Sequence, residues 1–120
     1  MLKKVYHLST CSTCKRIIKE LGLEEKGFTL QNVKEEAVSA EVIEQLREAT
    51  GSYESLFNRR SVLYRERNLK EAVLSEEDYK SLLLEHYSFI KRPIIAVEDQ
   101  FFVGNSKKTL QAAADFLTHV

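Results

Sequence analysis

The chain is short of several residue types: among 120 residues it has no tryptophan, one proline, two cysteines and four glycines. No apolar run approaches the roughly 20 residues that a membrane-spanning helix needs. Eighteen basic and eighteen acidic residues cancel, so the formal net charge is zero. These shortages argue against a membrane span, a disulfide-rich secreted scaffold and a general attraction to nucleic acid or to membranes.

The remaining composition predicts one soluble domain over residues 1–120. Apolar residues make up 43% of the chain and charged residues 30%, enough for one core beneath a hydrated surface. The first seven residues lack the apolar core and the cleavage site of a signal peptide, so we expect no secretion signal. We therefore expect a cytoplasmic protein, where two closely spaced thiols favour redox or catalytic use.

Along the chain, the spacing of apolar residues changes between the pattern typical of strands and the pattern typical of helices. The pattern predicts a strand over 4–8, a helix over 13–21 and a second strand over 28–33. Near the end of the chain, residues 94–97 and 101–103 read as a hairpin. This order predicts an α/β fold with a four-stranded mixed sheet, in which a β-α-β unit supplies two parallel strands.

Capping signals place helices between and after these strands. Ser39 precedes an amphipathic segment, Ser75 with Asp78 forms a capping-box pattern, and Ser106 precedes the last apolar stripe. We therefore expect a helical insertion over roughly 39–90 and a final helix after the hairpin.

Both cysteines lie in the segment TCSTCKR, spaced C-x-x-C, where the first strand meets the first helix. The free N–H groups and the dipole of a helix N-terminus stabilise a thiolate, and Lys15 and Arg16 add positive charge. We predict that Cys11 is a nucleophile and that Cys14, one turn on, is its resolving thiol.

Two other interpretations of the cysteine pair stay open. The thiols could be small buried apolar groups, or half of a zinc site. A zinc site would need further ligands, yet there is no second C-x-x-C, and His7, His86 and His119 have no ligand-like spacing. We expect no bound metal, and the strand–CxxC–helix context favours redox chemistry.

Arg60 and Arg92 are candidate anion-binding residues. Each adjoins apolar anchors, Val62-Leu63 in one case and Pro93-Ile94-Ile95 in the other, and Tyr64 is a further anchor of the basic segment. Held near a thiolate, two guanidinium groups can bind an oxyanion through paired hydrogen bonds. Pro93 is a strand-initial proline in the simplest interpretation, or a cis proline beside the thiol site in a sharper one.

Together these residues resemble the arsenate reductase (ArsC)/Spx family. The resemblance is carried, in chain order, by strand–Cys11-x-x-Cys14–helix, Asn58-Arg59-Arg60-Ser61 with Tyr64, Lys91-Arg92-Pro93-Ile94-Ile95, and Val103-Gly104 before a final helix. It implies a thioredoxin-like fold, related to glutaredoxin, with a cis proline at Pro93. It also implies that Cys11 attacks an oxyanion that Arg60 and Arg92 hold, with Lys15 where such enzymes commonly have a helix-start arginine.

Two positions depart from the glutaredoxin-coupled arsenate reductases that the chain resembles. No arginine occurs at 103–105, where their third arginine is expected. By analogy with an oxyanion-hole donor, its absence is expected to cost roughly 3–4 kcal/mol of oxyanion stabilisation. Cys14 stands where those enzymes usually have serine, whereas Spx-type regulators carry a second cysteine there as a redox switch.

The resemblance implies a thiol-dependent reductase that acts on an oxyanion or a disulfide. Such an enzyme needs no tightly bound cofactor but takes electrons from an external thiol donor, which would be thioredoxin, glutaredoxin or glutathione. The alternatives are an Spx-like redox-switched regulator that binds RNA polymerase, and a family member with little activity. In none of these do we expect direct contact with nucleic acid or a membrane.

Overall fold

The computed structural model describes residues 2–119. The strands are β1 Lys3–His7, β2 Thr29–Asn32, β3 Ile94–Val97 and β4 Gln100–Val103. The helices are α1 Ser12–Glu20, α2 Ala40–Thr50, α3 Val62–Glu66, α4 Glu76–Glu85 and α5 Lys107–Leu117, with 3₁₀ turns at Glu54–Leu56, Leu69–Glu71 and Tyr87–Phe89. The observed elements follow the predicted order, and their boundaries differ by about one residue.

The four strands form one mixed sheet in the order β2-β1-β3-β4. Strand β1 runs parallel to β2 and antiparallel to β3, and β4 is antiparallel to β3. Tyr6 pairs with Gln31 on one side and with Ile94 on the other. All four residues of β3 are buried, as its uninterrupted apolar run predicts. The predicted α/β fold with a four-stranded mixed sheet is confirmed.

The chain divides into two compact units. The sheet unit comprises residues 1–36 and 92–120, and the helical unit comprises 37–91. The helical unit covers the insertion that the sequence places at roughly 39–90. That residues 1–120 act as one domain stays a prediction.

The sheet unit is built around one apolar core. Its buried members come from β1, α1, β3, α5 and the segment between α1 and β2: Val5, Ile17, Ile18, Leu23, Phe28, Ile95, Val97, Ala113 and Leu117. The helical spacing of Ile17 and Ile18 puts both on the face of α1 that meets the core. This packing fixes the start of α1, where both cysteines lie.

Aromatic rings hold the helical unit together. Phe57 is buried, and its ring centroid lies 5.1 Å from that of Tyr79, 5.4 Å from that of Phe89 and 5.8 Å from that of Tyr64. Three of these four residues come from separate helices or turns, so their contacts fix those elements against one another.

The predicted helix caps are present. The Ser39 hydroxyl accepts a hydrogen bond from the Val42 N–H at 3.2 Å, and Ser75 and Asp78 form a reciprocal capping box. Gly51 ends α2 in the left-handed conformation at φ 97°, a region that favours glycine. These local signals set the helix boundaries without help from distant residues.

The expected anchor of the basic segment is wrong in one respect. Val62 is 54% exposed, so it does not anchor Arg60. The predicted anchor Tyr64 does hold the segment, since its ring packs against Phe57, and the Ser61 hydroxyl adds a contact at 2.8 Å to that of Ser88. Val62 is the first residue of the short helix α3, and its side chain lies on the solvent side of that helix.

Within residues 2–119, no helix has the length and apolar character that crossing a bilayer requires.

Candidate active site

Cys11 lies at the N-cap of α1, directly after the turn that leaves β1. Its backbone is extended, at φ −88° and ψ 112°, and its N–H donates to the Leu8 carbonyl at 2.9 Å. Its carbonyl accepts the first helical hydrogen bond, from the Lys15 N–H at 3.1 Å. The thiol is therefore placed beside the unpaired N–H groups of the first helical turn.

The surroundings of Cys11 favour its thiolate. Partial burial by itself would raise the pKa of the Cys11 thiol. Hydrogen-bond donors outweigh that effect, namely the N–H and thiol of Cys14 and the N–H of Thr13, and the positive charge of Arg92 adds to them. The net result is a pKa of Cys11 below its ordinary value.

Cys14 has the opposite character, because its side chain is 0% exposed. Burial is the main cause that raises the pKa of Cys14 to about 11. A hydrogen bond to Cys11 and the negative charge there raise the pKa further, against the Leu8 N–H and Arg92, which lower it. Cys14 is thus a protonated thiol that donates to Cys11. Both cysteines are free thiols.

Arg92 and Pro93 lie at the entrance to β3. The bond between them is a cis peptide bond, as the family resemblance implies. The Pro93 carbonyl accepts a hydrogen bond from the Gly104 N–H at 2.9 Å, which ties this entrance to the end of β4. The charge of Arg92 acts on both thiols, so the sheet brings together residues from opposite ends of the chain.

The other two candidates for anion binding are Lys15 and Arg60. Lys15 is exposed on α1 and lines a cavity of about 380 Å³ together with His7 and Ser9. Arg60 belongs to the helical unit, where its backbone N–H donates to the Asn58 side-chain oxygen at 3.0 Å. The sheet unit therefore assembles Cys11, Cys14, Arg92 and Pro93, whereas anion binding by Lys15 and Arg60 stays a prediction.

The sequence analysis predicted that N–H groups at the helix start act on Cys11, and the N–H groups of Thr13 and Cys14 do so. It missed the Leu8 N–H, which acts on Cys14. Backbone groups carry no residue-type signal, so nothing in the sequence indicated this second donor. Within residues 2–119, no group of three or more His, Cys, Asp or Glu side chains is placed to hold a metal ion.

A thiol at the N-cap of α1, a buried thiol one turn on and a cis proline at the start of β3, all in this mixed-sheet unit, define a thioredoxin-like thiol protein. The model of the ArsC family matches residues 6–113. The chain belongs to the ArsC family.

Three similar proteins illustrate the breadth of the family. The global transcriptional regulator Spx of Bacillus subtilis is 25% identical over 108 residues, which cover 89% of this chain and 82% of Spx. A possible arsenate reductase from Streptococcus mutans UA159 is 26% identical with a TM-score of 0.73, covering 92% of this chain and 98% of that one. An arsenate reductase from Vibrio cholerae shares the fold at a TM-score of 0.73 and 22% identity, covering 94% and 98%.

We expect iodoacetamide to alkylate Cys11 at about pH 6 faster than it alkylates a cysteine peptide, whose thiol has a pKa of about 8.5. A lowered pKa raises the thiolate fraction at this pH, and the accompanying loss of intrinsic nucleophilicity offsets only about half of the gain. The measurement is the alkylation rate as a function of pH, followed by mass spectrometry.

The Cys11→Ser variant serves as the control for that experiment. It should remain unmodified, because the buried Cys14 is neither accessible nor ionised at this pH. A wild-type rate no higher than that of the peptide would contradict the argument for a stabilised thiolate.

Proposed function

We propose that the chain is a thiol-dependent reductase of the arsenate reductase type, with Cys11 as nucleophile and Cys14 as resolving thiol. The observation that carries the proposal is the asymmetry of the two thiols. Cys11 is partly exposed with a lowered pKa, and Cys14 is buried with a raised one. A nucleophile must be ionised and accessible, and its partner must stay protonated until it is needed.

In the first step the Cys11 thiolate attacks the substrate. With arsenate, a bond forms between sulfur and arsenic(V), and one oxygen leaves as water after protonation. With a disulfide, Cys11 attacks one sulfur and the other leaves as a thiolate. The oxyanion is bound through charge-assisted hydrogen bonds from Arg92, Arg60 and Lys15.

The second step follows from the electrostatics of the pair. Once the Cys11 sulfur is bonded to the substrate, it loses its negative charge, and with it two of the causes that raise the pKa of Cys14. The Leu8 N–H and Arg92 continue to lower that pKa. Formation of the adduct therefore favours ionisation of Cys14 at the moment when its thiolate is required.

The Cys14 thiolate then attacks the Cys11 sulfur, and a disulfide forms between the two cysteines. With arsenate, the sulfur–arsenic bond breaks and its electron pair passes to arsenic, which is released as arsenic(III). With a disulfide substrate, the half of the substrate that was bonded to Cys11 leaves as a second thiolate. An external thiol donor, either thioredoxin, glutaredoxin or glutathione, returns two electrons to the Cys11–Cys14 disulfide in the cytoplasm. The cycle needs no tightly bound cofactor.

A steady-state assay with arsenate and with hydroxyethyl disulfide, each coupled to thioredoxin or to glutaredoxin with glutathione, tests the proposal. We expect NADPH to be consumed faster when the chain is present. The rate with each donor system alone is the background. The disulfide should be the better substrate, because residues 103–105 supply no third guanidinium. Absence of turnover with both substrates and both donor systems would overturn the proposal.

A second candidate is a redox-switched regulator that binds RNA polymerase. The similarity to Spx along most of the chain favours it, as does a cysteine pair whose two members interact. For this function we expect no turnover in the same assay, together with retention of the polymerase α subunit by the oxidised chain only. Turnover with equal retention by both redox forms would reject it.

A further inference from the structure

Strand β4 lies at one edge of the sheet, and its pairing with β3 fixes which of its backbone groups face outward. Val97 pairs with Gln100 across the two-residue turn of the hairpin, and the Gly104 N–H donates to the Pro93 carbonyl at 2.9 Å. In an antiparallel pair, every second residue exchanges hydrogen bonds with the partner strand. The residues on this side that bond to β3 are therefore Gln100, Phe102 and Gly104.

The residues between them, Phe101 and Val103, turn their N–H and C=O groups away from β3. Within residues 2–119, no side chain or loop forms a hydrogen bond with these four groups. Strand Gln100–Val103 also contains no lysine and no proline, the residues with which natural edge strands commonly avoid pairing. This edge can therefore accept another strand.

The edge of β4 is complementary to a second copy of itself. In an antiparallel pair of β4 strands, Phe101 of one copy lies opposite Val103 of the other, and the symmetry axis repeats this pair. This register uses all the outward groups of both strands. It also places Phe102 opposite the Phe102 of the second copy, at the kind of position where side chains come closest. The Phe102 ring lies 5.7 Å from that of Phe116, so the contact extends an existing aromatic pair.

The charges at the two ends of β4 favour the same antiparallel arrangement. Glu98 and Asp99 form the turn before the strand, and Lys107 and Lys108 begin α5 shortly after it. In the part of the chain that the structure describes, none of these four side chains takes part in an ion pair. The antiparallel register puts the acidic turn of one copy opposite residues 105–106 of the other, directly before its two lysines. The attraction occurs twice, whereas parallel strands would bring like charges together.

We propose that the chain forms a symmetric homodimer in which two β4 strands pair antiparallel and join two four-stranded sheets into one. Any extended peptide could use the backbone groups of this edge. Only a second copy also supplies the opposed Phe102 ring and the reversed order of charges. Because two short strands bury little surface, we expect a weak dimer with a dissociation constant of roughly 10–100 µM. The proposal is independent of the proposed reductase activity, since neither cysteine takes part.

Sedimentation equilibrium of the wild-type chain, from about 5 µM to about 500 µM, tests the proposal. We expect a monomer–dimer equilibrium and no larger species, because pairing occupies the β4 edge of both copies. A monomer at every concentration, or growth into larger polymers, would overturn the proposal.

Val103→Pro tests the outward hydrogen bonds. It removes one outward N–H from each copy and none of the hydrogen bonds between β3 and β4, so dimerisation should weaken by about tenfold or more. A thermal melt shows whether the variant is folded. Wild-type dimerisation by the folded variant would contradict pairing through this edge.

Charge reversal tests whether the partner strand is another β4. Asp99→Lys and Lys108→Asp should each weaken the dimer by about threefold to tenfold at low ionic strength, and the double variant should recover most of the wild-type affinity. Lys34→Asp is the matched control, because it reverses a lysine that follows the opposite edge strand β2, and it should leave the dimer unchanged. A double variant weaker than either single one would rule out the antiparallel arrangement.

Cysteine cross-linking in the Cys11→Ser, Cys14→Ser background tests the register. Phe102→Cys places two thiols at directly opposed positions, so oxidation should join the two copies by a disulfide. Gln100→Cys lies on the same strand, but in this register its two copies are four residues apart along the strands, or roughly 14 Å, too far for a disulfide. Cross-linking through Gln100→Cys and not through Phe102→Cys would show that the proposed pairing is wrong.

Discussion

Replacing Cys11 with serine should lower reductase turnover by about 10⁴- to 10⁶-fold, the range for removing single members of a catalytic triad. A serine hydroxyl remains protonated at neutral pH, and the donors around Cys11 cannot make it a comparable nucleophile. The measurement is kcat/KM with hydroxyethyl disulfide and with arsenate. Ser12→Ala, between the two cysteines, is the matched control and should keep near-wild-type activity.

Cys14→Ser should behave differently from Cys11→Ser. The first step needs only the Cys11 thiolate, so a single turnover should release one thiol per chain from a disulfide substrate. The adduct then persists, because the resolving thiol is absent. Mass spectrometry of the trapped adduct gives its site. An adduct trapped on Cys14 in the Cys11→Ser variant, with none on Cys11 in the Cys14→Ser variant, would reverse the assigned roles.

Arg92→Gln should lower kcat/KM for arsenate by about 10²- to 10³-fold, the range for removal of one donor to a developing oxyanion. It should also move the alkylation profile of Cys11 to higher pH. The sign follows from the charge: Arg92 lowers the pKa of Cys11, so its removal raises that pKa and reduces the thiolate fraction at a given pH.

Arg92→Lys separates the two effects of this arginine. A lysine keeps the charge but loses the planar pair of donors, so the alkylation profile should remain close to that of the wild type while arsenate turnover stays low. Turnover of a neutral disulfide should suffer less than that of arsenate in both variants. An unchanged alkylation profile in Arg92→Gln would show that the arginine does not act on the thiol.

The local parts of the fold could be predicted because their causes are local. The caps at Ser39 and Ser75 and the left-handed turn at Gly51 depend on residues within one helical turn, and all are found. The continuous apolar run of β3 likewise predicts a central buried strand. The prediction for Val62 failed because apolar character alone does not indicate which side of a short helix meets the core.

The candidate site could be predicted only in part. The position of Cys11 at a helix start follows from the order of strand and helix, and that position already favours a thiolate. The burial of Cys14 could not be predicted from the sequence. Its raised pKa depends on how completely α1 and the sheet exclude water around the sulfur, which is a property of the packed structure.

The sequence by itself determined the elements, their caps and the position of the two cysteines at the start of α1, because these depend on neighbouring residues. Only the tertiary structure decided the rest. The pairing of β1 with β3 brings the charge of Arg92 to thiols that lie far from it in the chain. Burial then makes the pKa of Cys14 higher than that of Cys11. Desolvation and charge act through space, so residue spacing along the chain does not indicate this difference.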